Sequence, residues 1–152
     1  MFFMLLVFRI VRRLKRIQNL DVLTGGRNPS KADVVLDVKH GPSLAKVFTD
    51  LKFHLVIHTA GPFDETEGYA VAKACLAASN TGHKCNYLDL ADNISYVMGF
   101  GALDEEAQQK GCLLVTGAST TPAITTVCIR RIRIRCEKRM VVVILWRIYH
   151  EE

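Results

Sequence analysis

Residues 54–63, His-Leu-Val-Ile-His-Thr-Ala-Gly-Pro-Phe, form a short apolar run that closes in a turn of small residues and leads into an alanine-rich helical pattern. A strand covered on both faces reads as such a continuous apolar run rather than as an alternation. In a parallel sheet it carries its carboxyl end to a ligand crevice. The same punctuation recurs along the chain. Strand patterns over residues 20–24, 32–38, 54–59, 85–90 and 112–116 alternate with helical patterns over residues 42–51, 69–78 and 103–110. Leu44, Val47, Phe48 and Leu51 share one helical face, and Val71, Cys75 and Ala78 share another. Strands separated by helices of this length imply βαβ units, right-handed crossovers and a mostly parallel sheet. The expected class is α/β.

A chain of 152 residues is long enough for one domain with a real core. Its net charge of +5 is unevenly spread. Arg9, Arg12, Arg13, Lys15 and Arg16 crowd one end, and Arg130, Arg131, Arg133, Arg135, Lys138, Arg139 and Arg147 the other. These clusters flank the α/β pattern without aromatic interleaving, so nucleic acid is not an expected partner. Five cysteines include no CxxC pair, which points to buried free thiols in a reducing, cytoplasmic setting rather than to a disulfide framework or a metal site. The apolar start, residues 1–8, is shorter than the about 20 residues a bilayer requires. Its charges also follow the apolar run, the reverse of a secretory signal. Ile10, Val11, Leu14 and Ile17 recur at helical spacing among arginines, which reads as an amphipathic helix packing on a sheet in preference to a membrane anchor.

Beyond residue 126 the alternation breaks down. Residues 129–136 alternate apolar residues with arginine, and residues 140–146 are an apolar run. This reads as an edge strand pair or an ill-packed tail.

Chemistry is expected at the strand ends. Arg27 and Asn28 follow a strand and a glycine pair, where a dinucleotide fold meets the adenosine ribose. With no acidic residue in residues 22–30, an arginine there suits a 2′-phosphate, and so NADP over NAD. Asp37 and Val38 close the next strand, and Thr59, Ala60, Gly61, Pro62 and Phe63 offer small side chains for close cofactor approach. Asp92 is expected to cap the following helix, and Asp89 is open between a structural and an acid–base role. His54 and His58 would lie about 13 Å apart on a strand, too far for one metal. Gly99-Phe100-Gly101 follows no strand and is rejected as a phosphate loop.

In serial order, the segments T-A-G-P-F (59–63), Y-A-V-A-K-A-C (69–75), Y-L-D-L-A-D (87–92), G-F-G-A-L-D (99–104) and G-A-S-T-T-P-A (117–123) resemble the NAD(P)-binding domain of the saccharopine dehydrogenase family, over residues 8–125. The resemblance implies a Rossmann-like, doubly wound domain of a pyridine-nucleotide oxidoreductase that passes hydride to or from NADP, or NAD. It places Arg27 and Asn28 at the adenosine-phosphate end, Asp37 and Val38 beside the adenine, and residues 59–63 beside the nicotinamide ribose. Residues 117–123 would lead toward a substrate domain.

The chain departs from that pattern twice. Where the family has its first strand and a Gly-x-Gly-x-x-Gly loop, residues 1–7 hold no glycine. Where the family continues into a catalytic domain, this chain has a basic and apolar tail. The expectation is therefore an incomplete NAD(P)-binding domain over residues 1–126 and a tail over residues 127–152, truncated at both ends. Such a chain would have no turnover of its own, and no catalytic residue is assigned. The alternative is a non-catalytic Rossmann-like remnant or interaction module that pairs with another protein.

Overall fold

In the computed structural model, residues 2–63, 68–80, 82–118 and 139–144 are described. Helix α1 (Phe2–Leu14) leads to strand β1 (Leu20–Gly26) and the short β2 (Val34–Val35). Helix α2 (Gly41–Leu51), β3 (Leu55–His58), α3 (Ala70–Ala78) and β4 (Asn86–Asp89) follow. Then come α4 (Ile94–Gly99), a 3-10 turn (Phe100–Leu103), α5 (Asp104–Lys110), β5 (Leu114–Val115) and β6 (Arg139–Ile144). The strands form one sheet in the order β2-β1-β6-β3-β4-β5, and every pairing among them is parallel. The chain is α/β, as its alternation of patterns implies.

The tail is where expectation and structure part. Residues 139–144 are neither an edge pair nor an ill-packed segment. They run through the interior of the sheet. Strand β6 pairs with β1 from Leu20↔Arg139 to Gly25↔Ile144, and with β3 from Leu55↔Val141 to His58↔Ile144. An uninterrupted apolar run suits a strand with neighbours on both sides, whereas edge strands are usually short or charged.

Helices cover both faces, and the strands' period of two divides the core between them. Val7, Ile10 and Leu14 of α1 pack with Val22, Leu55, Ile57, Leu88 and Leu90 on one face. On the other, Leu44 and Phe48 of α2 and Val71, Cys75 and Leu76 of α3 pack with Phe53, Val56 and Tyr87. The amphipathic start therefore packs on the sheet. Among the described residues no helix is long and apolar enough to cross a membrane.

Local chemistry sets the helix boundaries. The His40 ring accepts from Ser43 N at 3.2 Å to cap α2, and Pro42 sits in its first turn, where a missing N–H costs nothing. Helix α5 carries Asp104, Glu105 and Glu106 at its positive end and Lys110 at its negative end, then stops at Gly111 with φ +63°. Helix α4 is capped by Asn93, whose Oδ1 accepts from Tyr96 N at 3.1 Å, and not by the expected Asp92, which lies exposed one residue earlier. Cys85 and Cys112 lie just before β4 and β5 rather than within them.

Because β6 has a ladder on each side, Val142→Pro is expected to lower stability by on the order of 2–3 kcal/mol, through an orphaned partner in a buried ladder. A urea unfolding midpoint unchanged by this substitution would place β6 outside the sheet.

Candidate functional site

With all strands parallel, the ends of β1, β2, β3 and β4 open on one edge, and every proposed site residue lies just past one of them. Most of those residues have structural employment there. Arg27 is exposed beyond the end of β1. Asn28 Oδ1 accepts from Ser30 N at 3.0 Å and Ser30 Oγ at 2.6 Å, and its carbonyl accepts from Lys31 N and Ala32 N, so this residue builds the turn. Asp37 does likewise, accepting from Lys39 N at 3.0 Å. An acidic residue outside the expected window also reaches this region. The Asp33 carboxylate accepts from Thr24 N and Thr24 Oγ1, both at 2.8 Å, and these bonds hold its pKa below the usual range.

Thr59, Ala60 and Phe63 are buried, Gly61 is half-buried and Pro62 is exposed, with a cis Gly61–Pro62 peptide. The Phe63 ring meets the His58 ring edge-on at 4.9 Å and the Tyr96 ring at 5.5 Å. Only Val38 of the proposed residues lines the cleft at this edge. The cleft is slight, about 10 Å³, and among the described residues His58, Tyr69, Ala70, Val71 and Tyr96 also line it.

The organised chemistry at the edge is a hydrogen-bonded chain across three strands. His58 Nδ1 lies 2.9 Å from Tyr87 Oη. Tyr87 Oη–H donates to Asp89 Oδ2 at 3.0 Å, and the Tyr96 hydroxyl lies 3.4 Å from Tyr87 Oη. Asp89 Oδ1 accepts from Ala91 N at 3.0 Å, Thr116 Oγ1 at 3.0 Å and Gly117 N at 2.9 Å. Gly117 makes its contact with φ +74°, a conformation that suits glycine. His58 Nε2 has no hydrogen-bond partner. Burial pushes the His58 pKa down from 6.5 to about 4, so the ring is neutral at pH 7. Burial pushes Asp89 up against the pull of its hydrogen bonds and raises Tyr87 well above the ordinary phenol range.

Asp89 thus has a structural role, tying the tips of β4 and β5 together. His54, set edge-on to His83 at 5.0 Å, is remote from this chain. Sequence reasoning took His58 only as far as excluding a metal pair with His54. The Tyr87 partner of His58 lies 29 residues away, and the residue types at the two strand ends were the only available signal. Compared with known protein families, curated proteins and solved structures, the chain matches none of them.

His58 is depressed in the fold and ordinary when unfolded, so its contribution to stability is full above pH 6.5 and is lost as pH falls toward 4. That loss is about 3 kcal/mol. Asp89, raised in the fold, acts in the opposite sense, since its cost declines on acidification. Denaturant melts at successive pH values should therefore show His58→Gln flattening the acid slope of the native chain. An unaltered slope would remove His58 from this role.

Proposed function

We propose that the chain is a Rossmann-like nucleotide-binding domain of the saccharopine dehydrogenase type, taking NADP in preference to NAD in the cytoplasm. The observation that carries this reading is the strand order. Doubly wound dinucleotide sheets run 3-2-1-4-5-6 and bind ligand where the order reverses. The order β2-β1-β6-β3-β4-β5 reproduces that arrangement when β6 occupies the position of the usual first strand. The reversal then falls between β6 and β3, beside the 59–63 turn. The buried, free thiols of Cys75 and Cys85 agree with a reducing compartment.

The residues fit such a cofactor at its two outer parts. Arg27, exposed past β1, would meet the 2′-phosphate, with Asn28 shaping the loop that carries it. Val38, half-buried at the cleft, would meet the adenine, with Asp37 turning the chain beside it. The turn of Thr59, Ala60, Gly61, Pro62 and Phe63 would face the nicotinamide ribose. When bound, the cofactor would supply hydride chemistry. The diphosphate is where the fit fails. Its usual cradle is one glycine-rich loop running from the central strand into the next helix. Here β6 is the central strand, and it does not run into α1. The first 24 residues and residues 139–152 also contain no glycine.

That mismatch favours a second reading, a non-catalytic Rossmann-like remnant or interaction module that binds another protein. Titrating the full chain with NADPH and NADH by nucleotide fluorescence separates the two. The first reading expects tighter NADPH binding, weakened roughly tenfold or more by Arg27→Ala with NADH unaffected, as for loss of a charged hydrogen bond. Binding of neither nucleotide would leave the second reading in place.

A further inference from the structure

Helix α1 carries a basic outer surface that the nucleotide reading does not use. Val7, Ile10 and Leu14 hold the helix on the sheet, so its apolar face is spent there. Arg9, Arg12 and Arg13 are exposed, and so are Lys15 and Arg16 in the turn that follows. Arg9, Arg12, Arg13 and Arg16 stand at i, i+3, i+4 and i+7, the spacing of one helical face. Backbone bonds carry the chain on from the helix end, from Lys15 N to the Val11 carbonyl at 2.9 Å and from Arg16 N to the Arg13 carbonyl at 3.2 Å. Residues 1–20 contain no Asp or Glu. The sheet adds to this concentration of charge. Leu20 opens β1 just after that turn, and its ladder partner is Arg139, the first residue of β6. A member of the second basic cluster thus enters the sheet at the edge where α1 ends.

Folding alone does not call for such a face. Like charges three and four apart on a helix repel, and α1 has no acidic residue to relieve them. The negative end of the helix dipole favours Arg12 and Arg13 in the last turn, but it gives nothing to Arg9. Nor does it explain Phe8, which is 61% exposed one turn before Arg12. An anionic lipid surface accounts for both. Its headgroups neutralise the arginines, and an apolar ring among cations settles at the boundary between headgroups and acyl chains. A nucleic-acid backbone would also meet the arginines, but it would give Phe8 no apolar contact. We infer that the outer face of α1, through Arg9, Arg12, Arg13, Lys15, Arg16 and Phe8, is a docking surface for a bilayer rich in anionic phospholipid. The chain rests on that bilayer without spanning it, because the apolar face of α1 stays on the sheet. Each basic residue near such a surface strengthens attachment roughly fivefold. The inference uses no residue at the strand tips and stands apart from nucleotide binding.

The test sediments the full chain with vesicles of phosphatidylcholine alone and of phosphatidylcholine and phosphatidylserine in equal parts. Binding is expected only to the second. Raising the salt from about 0.1 M to about 1 M shortens the screening length from about 10 Å to about 3 Å and should release the chain. Arg9→Gln and Arg12→Gln should each weaken binding roughly fivefold while the urea midpoint holds, so that lost binding is not lost fold. Phe8→Ser should weaken it severalfold and leave the salt dependence unchanged. Lys46→Gln removes the same charge from α2, which packs on the other face of the sheet, and should have no effect. No binding to the anionic vesicles, equal binding to both kinds, binding indifferent to salt or to the arginine variants, or an equal loss in Lys46→Gln would each overturn the inference. So would tighter binding to a DNA duplex that Phe8→Ser leaves unaltered, which would make the partner a nucleic acid.

Discussion

The backbone ladder joins the two halves of the sheet through β6. Strands β1 and β2 form one side and β3, β4 and β5 the other, and both sides hydrogen-bond to Arg139–Ile144. Parallel ladders have no tolerance for exposed inner edges, because each unpaired N–H or C=O under a covering helix is a buried orphan. Helix α1 confirms the geometry from above. Its Val7, Ile10 and Leu14 share one cluster with Val22 of β1 and with Leu55 and Ile57 of β3, so it lies across the seam that β6 fills. Without that strand α1 would cover a gap, and the strand tips that define the cleft would have no common frame.

Asp89 performs at the tips what β6 performs in the middle. A fully buried carboxylate is costly unless its lone pairs are satisfied. Here four donors from three places in the chain meet it, and the price is offset by fixing the ends of β4 and β5 relative to each other. The same bonds orient Tyr87, which in turn orients His58. A residue that an acid–base reading would single out thus works by positioning others. The rings of Phe63, Tyr69, Tyr96 and Phe100 pack beside this chain, and their low polarity strengthens its bonds.

What the sequence made legible was local. The continuous run at residues 54–59, the helical face of Leu44, Phe48 and Leu51, and the helical pattern over residues 103–110 each follow from a period or a residue preference within a few residues. The position of β6 was not legible, because its partners lie more than 80 residues away and an apolar run specifies burial without naming a neighbour. Helix α4 escaped for a different reason. Ile94 and Met98 are 80% and 77% exposed, so the apolar residues point to solvent as well as to the core and blur the period. The site residues divide in the same way. Their place past the strand ends was readable, whereas the bonds that occupy Asn28 and Asp37, and the partner of His58, depend on three-dimensional proximity.

The source of the central strand also bears on how this edge could receive an anion. In a strand–loop–helix unit, one covalent turn presents successive backbone N–H groups to a phosphate, and its rigidity comes from being anchored at both ends. Here the strand is Arg139–Ile144 and the helix that covers its neighbours is Phe2–Leu14, so the turn is replaced by two separate pieces of chain. Two such pieces bring no shared geometry of their own, and any phosphate contact they make has to be organised by the ligand, at an entropic cost that a preformed loop avoids. Permuting the order in which strands enter a sheet can therefore preserve its hydrogen-bonded ladder and its crevice while removing the one feature of the crevice that depends on chain continuity.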